Sequence, residues 1–386
     1  MRGVARRWRG LVAVLCALLL APLALAAGTG CGAAADGRGA TATAPNSAAS
    51  PREGAPSLPL GELAGARIVA GFNGTAPPAA LREGIRSGHF AGVVLYAENL
   101  PSRADARRLI AGLQSIPRPP AMRDPLLVLV DQEGGLVKRI DGAPFHSAEE
   151  IGQRGPAFAR REGRRTARNL RGVGVGVNVD IAPVLDVPRP GSPIAETHRG
   201  YGTSPAAVAA TGVAFAEGLQ GGGVAATAKH FPGFGAAKDD SDVEVSRIGL
   251  SKARLRAVDE APYRRYADAG GDLVMVAAAT YPAFSSRPAA FSRALVSGEL
   301  RHRLGYRGIV MTDALDTVSV AAFGDPAETG PAAARAGCDL LLFTEPGPAE
   351  AARRALVRQL RAGSLDARQF EDSARRVLDL RAELPG

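Results

Sequence analysis

Short apolar runs recur along the chain from Ala66 onward, each rich in Val, Ile, Leu or Ala and bounded by glycine, proline or charge. They fall at Arg67–Gly71, Gly92–Ala97, Leu126–Val130, Val175–Leu185, Val224–Ala228, Leu273–Ala278, Gly308–Thr312 and Asp339–Phe343. The runs are continuous rather than alternating, the pattern of strands covered on both faces in a parallel sheet. The stretches between them carry helical spacing. Ser204-Pro205 reads as a cap and first-turn proline ahead of Val208, Gly212, Phe215 and Leu219 on one face. Ser364 reads as the opening of a last helix with Phe370, Ala374, Val377 and Leu378 turned inward. Eight such repeats predict an α/β fold, a TIM-like (β/α)8 barrel over residues 65–386. A doubly wound open sheet has the same beat and stands as the alternative.

Polar residues gather just after the runs. Asp131 and Glu133 follow the third, Asp186 the fourth, Lys229 and His230 the fifth, and Asp313 the seventh. In a barrel the carboxyl ends of all strands converge on one face, where sites are built. Acids scattered at random would fall along the helices instead, so this placement points to an enzyme.

The N-terminus changes the picture of where the domain works. A basic stretch with Arg2, Arg6, Arg7 and Arg9 precedes the apolar run Leu11–Leu25, too short to span a bilayer comfortably. Residues 1–30 read as an export signal, and residues 31–64, rich in Ala, Gly, Ser, Thr and Pro, as a disordered tether. Two exits are compatible with the signal. Ala24-Leu25-Ala26 fits signal-peptidase cleavage, whereas Gly28-Thr29-Gly30-Cys31 resembles a lipobox with lipid on Cys31. The chain is thus expected outside the cell membrane, anchored through Cys31 or secreted, and monomeric. Three cysteines form no disulfide framework, and Cys338 reads as a small core residue. The formal charge is +9, of which the four leader arginines supply four, leaving +5. Without a basic stripe or aromatic interleaving this excludes nucleic acid as the partner. No nucleotide loop, metal-ligand spacing or Ser-His-Asp order stands out, so no cofactor and no metal is expected.

Five ordered segments carry the chemistry: Asp131-Gln132-Glu133-Gly134-Gly135, Asn178 to Val187, Arg199-Gly200-Tyr201-Gly202, Lys229-His230-Phe231-Pro232-Gly233-Phe234-Gly235, and Thr312-Asp313-Ala314-Leu315. In order and spacing they resemble glycoside hydrolase family 3. Within it they are most like the single-domain β-N-acetylglucosaminidase (β-N-acetylhexosaminidase) branch, which acts in peptidoglycan turnover. The resemblance implies a carbohydrate substrate. It makes Asp313 the nucleophile of a retaining glycosidase, a carboxylate that attacks an anomeric carbon. It assigns Asp131, Arg199, Lys229 and His230 to the hydroxyls of the terminal sugar, which charge-assisted bonds suit. Structural readings stand beside these: Asp313 as a helix cap, Lys229 and His230 as a rim pair, and Arg199 as a bridge to loop carbonyls. Asp180 and Asp186 read as loop and rim architecture.

The chain departs from the family at the loop after Lys229-His230. Where that branch ends the loop in Asp-Ser-His, the His being the general acid/base oriented by the Asp, this chain has Asp240-Ser241-Asp242. Phe234 and Ala278 stand where the family has His, and Leu136 where it has Arg. Two outcomes are open. Asp242 takes over protonation, its pKa raised by Asp239 and Asp240 nearby, or protonation is weakened and the protein acts as a membrane-tethered glycan binder.

Overall fold

The eight apolar runs pair in chain order. The computed structural model describes residues 58–173, 176–241 and 244–385. Its strands are β1 (Ile68–Ala70), β2 (Gly92–Leu95), β3 (Leu127–Val130), β4 (Val179–Asp180), β5 (Ala225–Phe231), β6 (Leu273–Val276), β7 (Ile309–Thr312) and β8 (Leu341–Phe343). Each pairs in parallel with the next, and β1 pairs with β8 through Ile68 and Leu341. A parallel bridge from Met311 to Leu340 closes the ring, reinforced by Thr312 N donating to Leu340 O at 3.0 Å. Closure decides for the barrel over the open sheet.

The strand residues are almost wholly buried because the barrel interior lies on one side and the helical layer on the other. Glycine sets how closely two of those helices approach. A Cβ on Gly163 in helix Pro156–Arg171 would lie 2.1 Å from the Phe215 carbonyl, and one on Gly218 in helix Pro205–Gln220 would lie 2.3 Å from that of Arg160. The Ser204 cap forms as expected, its hydroxyl accepting from Ala207 N. The last helix differs from expectation at its start. It spans Ala367–Glu383 and is capped by Asp366, whose carboxylate accepts from Gln369 N at 2.8 Å, so Ser364 lies two residues before the cap. Phe370, Ala374 and Val377 are buried as expected, and Leu378 is partly so.

That helix crosses the amino-terminal face of the barrel. Phe370 lies under the Arg67 guanidinium, Arg376 pairs with Asp339, and Arg381 donates to the carbonyls of Met122, Asp124 and Pro125, all residues that precede strands. The helix thus covers this face around the starts of β1, β3 and β8. No described helix is long and apolar enough to cross a membrane.

Candidate active site

Asp131 leaves β3 and leads into a short antiparallel hairpin, Gln132–Gly134 with Val137–Lys138. Side chains alternate along an extended segment, so Asp131 and Glu133 share one side and Gln132 takes the other. Gln132 is fully buried and stitches the loop: its amide oxygen accepts from Arg139 N and Ile140 N, and its amide nitrogen donates to Ile140 O and Ala143 O. The chain then turns at Gly134, where φ is +97° and a Cβ would lie 2.2 Å from the His146 carbonyl. Only glycine meets both demands.

The two acids converge with the base of β5. Lys229 Nζ contacts Asp131 Oδ1 at 2.6 Å and Glu133 Oε1 at 2.7 Å. Arg199, from the loop after β4, clamps Glu133 with Nε and Nη2 at 2.7 and 2.8 Å. Arg139 Nη2 lies 3.6 Å from Asp131 Oδ2. Burial would discharge Lys229, but Asp131 and Glu133 outweigh it and raise its pKa. The acids are held the same way. Burial would raise both, and Lys229 with Arg139 keeps Asp131 low while Arg199 with Lys229 keeps Glu133 well below the carboxylate range. Arg199 therefore binds a carboxylate, not loop carbonyls. Asp180 beneath them behaves differently: burial drives its pKa well up, against the opposing effect of the Gln132 amide that donates to it at 3.0 Å.

His230 is fixed by Asp186. Its Nδ1 lies 2.7 Å from Asp186 Oδ2, while its own amide and that of Phe234 donate to Oδ1 at 3.2 and 2.6 Å. This makes Nδ1 the protonated nitrogen and leaves Nε2 to meet a ligand. Asp186 is thus the architecture the sequence suggested. Phe234 is buried, its ring 5.7 Å from that of His230, and Ala278 is buried too. The loop is seated from below by Gly235, where a Cβ would lie 2.0 Å from the Val187 carbonyl.

Asp313 leaves β7 at the same level. Phe231 of β5 pairs with Val276 of β6, Val276 pairs with Thr312, and Asp313 N donates to Val276 O at 3.0 Å. Its carboxylate accepts from Ala314 N at 2.8 Å. It does not cap the next helix, which starts after Thr317. Asp316 ties this loop to the end of β8 by accepting from Thr344 N and Oγ1.

Asp242 lies outside the described residues, as does Cys31. The flanks of Asp242 are described. Asp240 is exposed, its carbonyl accepting from Glu244 N at 3.0 Å, and Ser241 is buried. The Ser319 hydroxyl sits between the Ser241 and Glu244 carbonyls, 2.5 Å from the former, so the loop rests on the segment that follows Asp313. Among the described residues no three His, Cys, Asp or Glu side chains form a metal-ligand set. Sequence reasoning saw Glu133 at the rim but gave it no site role. The signal was its period-two relation to Asp131.

A closed parallel barrel with buried acids and bases at its carboxyl rim is the architecture of a barrel enzyme. Residues 60–380 match the glycosyl hydrolase family 3 N terminal domain. An uncharacterized secreted glycosyl hydrolase of Arthroderma benhamiae is 35% identical over 337 residues, covering 85% of this chain and 94% of its own length. A beta-hexosaminidase of Xanthomonas oryzae is 32% identical, covering 72% of this chain and 84% of itself. The structure of a family 3 beta-N-acetylglucosaminidase from Paenibacillus sp. superposes with a TM-score of 0.79 at 33% identity over 85% of this chain, which spans 63% of that longer protein. The chain belongs to glycosyl hydrolase family 3, and is by that membership a glycosidase acting on O-glycosyl bonds.

Proposed function

We propose that the protein is an exported, retaining β-N-acetylhexosaminidase-type enzyme that removes terminal β-linked sugar, N-acetylglucosamine from cell-wall fragments, with Asp313 as nucleophile. The observation that carries this reading is the common rim level of Asp313 with Phe231 and Val276, one residue from His230 and two from the buried Lys229 cluster. In the first step an Asp313 oxygen bonds to C1 while the C1–O bond to the leaving group breaks, and protonated Asp242 gives its proton to that oxygen. Water then attacks C1 and passes a proton to Asp242, and the ester to Asp313 breaks. Arg199, Lys229, Asp131 and His230 hold the sugar, with Asp240 orienting Asp242. The name of the Xanthomonas relative and the Paenibacillus structure support the substrate class.

A second reading, a glycan binder with weakened turnover, is favoured by Phe234, an apolar ring buried beside His230. The two separate on activated aryl β-glycosides. Turnover of the N-acetylglucosaminide above the glucoside and xyloside, abolished in Asp313→Asn, supports the enzyme; turnover unaffected by that change sinks the nucleophile. For the loop, Asp242→Ala should slow hydrolysis of poor leaving groups far more than of aryl glycosides, since only the former need a proton. Partition of the exported protein with membranes, lost in Cys31→Ser, tests the anchor. The description of the Arthroderma relative as secreted supports export.

A further inference from the structure

Four large apolar side chains stand exposed among the described residues: Leu136 at 74%, Phe145 at 68%, Val318 at 54% and Val245 at 51%. Their distribution is not that of single surface residues. All four lie on segments that follow the carboxyl ends of strands, Val318 opening a short helix there, and they form two flanks. Leu136 tips the hairpin after β3, and Phe145 lies on the segment that hairpin packs against, where a Cβ on Gly135 would lie 3.0 Å from that of Ser147. Arg139, three residues past Leu136, reaches back to Asp131. On the other flank, Val318 and Val245 each adjoin a partner in one contact, the Ser319 hydroxyl against the Glu244 carbonyl. Around the ring β7 stands four places from β3, the opposite position in eight. The segments after β3 and β7 therefore stand at opposite positions of the rim, and the Val245 segment, which follows β5, rests on the latter.

We infer that the mouth also grips apolar atoms joined to the sugar at C1, so that alkyl or aryl character beyond the glycosidic oxygen adds affinity to that of the sugar site. The inference rests on the proposed sugar site. With the terminal sugar on Lys229, Arg199 and Asp131, whatever is attached at C1 leaves through the mouth and passes between the two flanks. A bilayer is a poorer occupant. The loop bearing Val245 exposes Asp239, Asp240 and Glu244 beside Lys238 and Arg247, so it lacks the basic cluster that draws a protein onto an anionic membrane surface.

The test uses two non-hydrolysable ligands, methyl and hexyl 1-thio-β-N-acetylglucosaminide, with binding measured by calorimetry. Five extra methylenes, each worth up to about fourfold when buried, should make the hexyl ligand bind at least about tenfold tighter. Leu136→Ser with Phe145→Ser, and separately Val245→Ser with Val318→Ser, should cut that ratio to about two while methyl affinity stays within about twofold. Equal binding of both ligands to the unaltered protein overturns the inference and leaves the sugar site standing. Binding of neither overturns the sugar site itself. Vesicle binding that falls in the serine variants while the ligand ratio holds also overturns the inference and gives the flanks to a lipid surface.

Discussion

Changing Glu133 to Gln keeps the shape of the charged cluster and removes its central charge. Glu133 is 2% exposed and receives three charged contacts at 2.7–2.8 Å, one from Lys229 and two from Arg199. Removing one partner of a buried pair costs about 3–5 kcal/mol because the other charge stays uncompensated. Lys229 keeps Asp131, and the side chain of Arg199 is 20% exposed and can turn partly to water, which favours the lower end, about 3 kcal/mol. For a folded unit of roughly 330 residues, an unfolding entropy of about 2.1 cal/mol/K per residue converts this to a Tm about 4 °C lower. Thermal unfolding followed by circular dichroism at pH 7 reads the shift. The sign with pH follows from the depressed pKa. The stabilisation is present above the unfolded-state value near 4.5 and is lost as pH falls below it, so the gap to the variant should narrow at pH 3. A Tm within 1 °C of the parent at pH 7 would refute the claim that Glu133 holds the cluster together.

Three further outcomes are expected. Burial lifts Asp272 to about 7 from 3.8; the native state then holds a proton the unfolded chain has lost, so stability should fall by about 3 kcal/mol from pH 4.5 to 8, and urea midpoints of Asp272→Asn should lack that share of the fall. Gly163→Ala should lower stability by about 1–3 kcal/mol, read as a lower urea midpoint, because the new Cβ meets the Phe215 carbonyl. Ser319→Ala should slow hydrolysis of alkyl glycosides about tenfold or more through a misplaced loop while sparing activated aryl glycosides; equal slowing of both would show that Ser319 serves folding only.

Much of the scaffold was legible because both-face burial writes itself as continuous apolar runs, and all eight became strands. The rim acids and bases were legible for a related reason: a charged residue directly after such a run has only the strand end to occupy. What stayed hidden was pairing. The converging of Lys229 and Arg199 on Glu133 spans 66 residues or more and leaves no local pattern. The start of the last helix was misplaced because Ser364 and Asp366 are both good caps, and only the folded backbone decides which one meets a free amide. The exposed apolar flanks read locally as ordinary residues, since a single exposed Leu or Val carries no signal.

The cluster and the proposed nucleophile differ in a way that bears on turnover. Glu133, Lys229, Asp186 and Arg199 are tied to the fold through buried ionic contacts, so losing any of them confounds stability with activity. Asp313 is not. It is half-buried, and its carboxylate accepts from the amide of the next residue, a local bond that an Asn oxygen can keep. Asp313→Asn should therefore leave Tm within about 1 °C, since substitutions away from such networks change stability by about 0.5 kcal/mol or less. If the carboxylate bonds to C1, the same variant should lose at least about a thousandfold in kcat on aryl N-acetylglucosaminides, because the amide oxygen is a poor nucleophile. If Lys229, Arg199, Asp131 and His230 hold the sugar as proposed, it should still bind a methyl thioglycoside. A variant that folds, binds and keeps its turnover would remove Asp313 from the chemistry while leaving the sugar-binding rim in place.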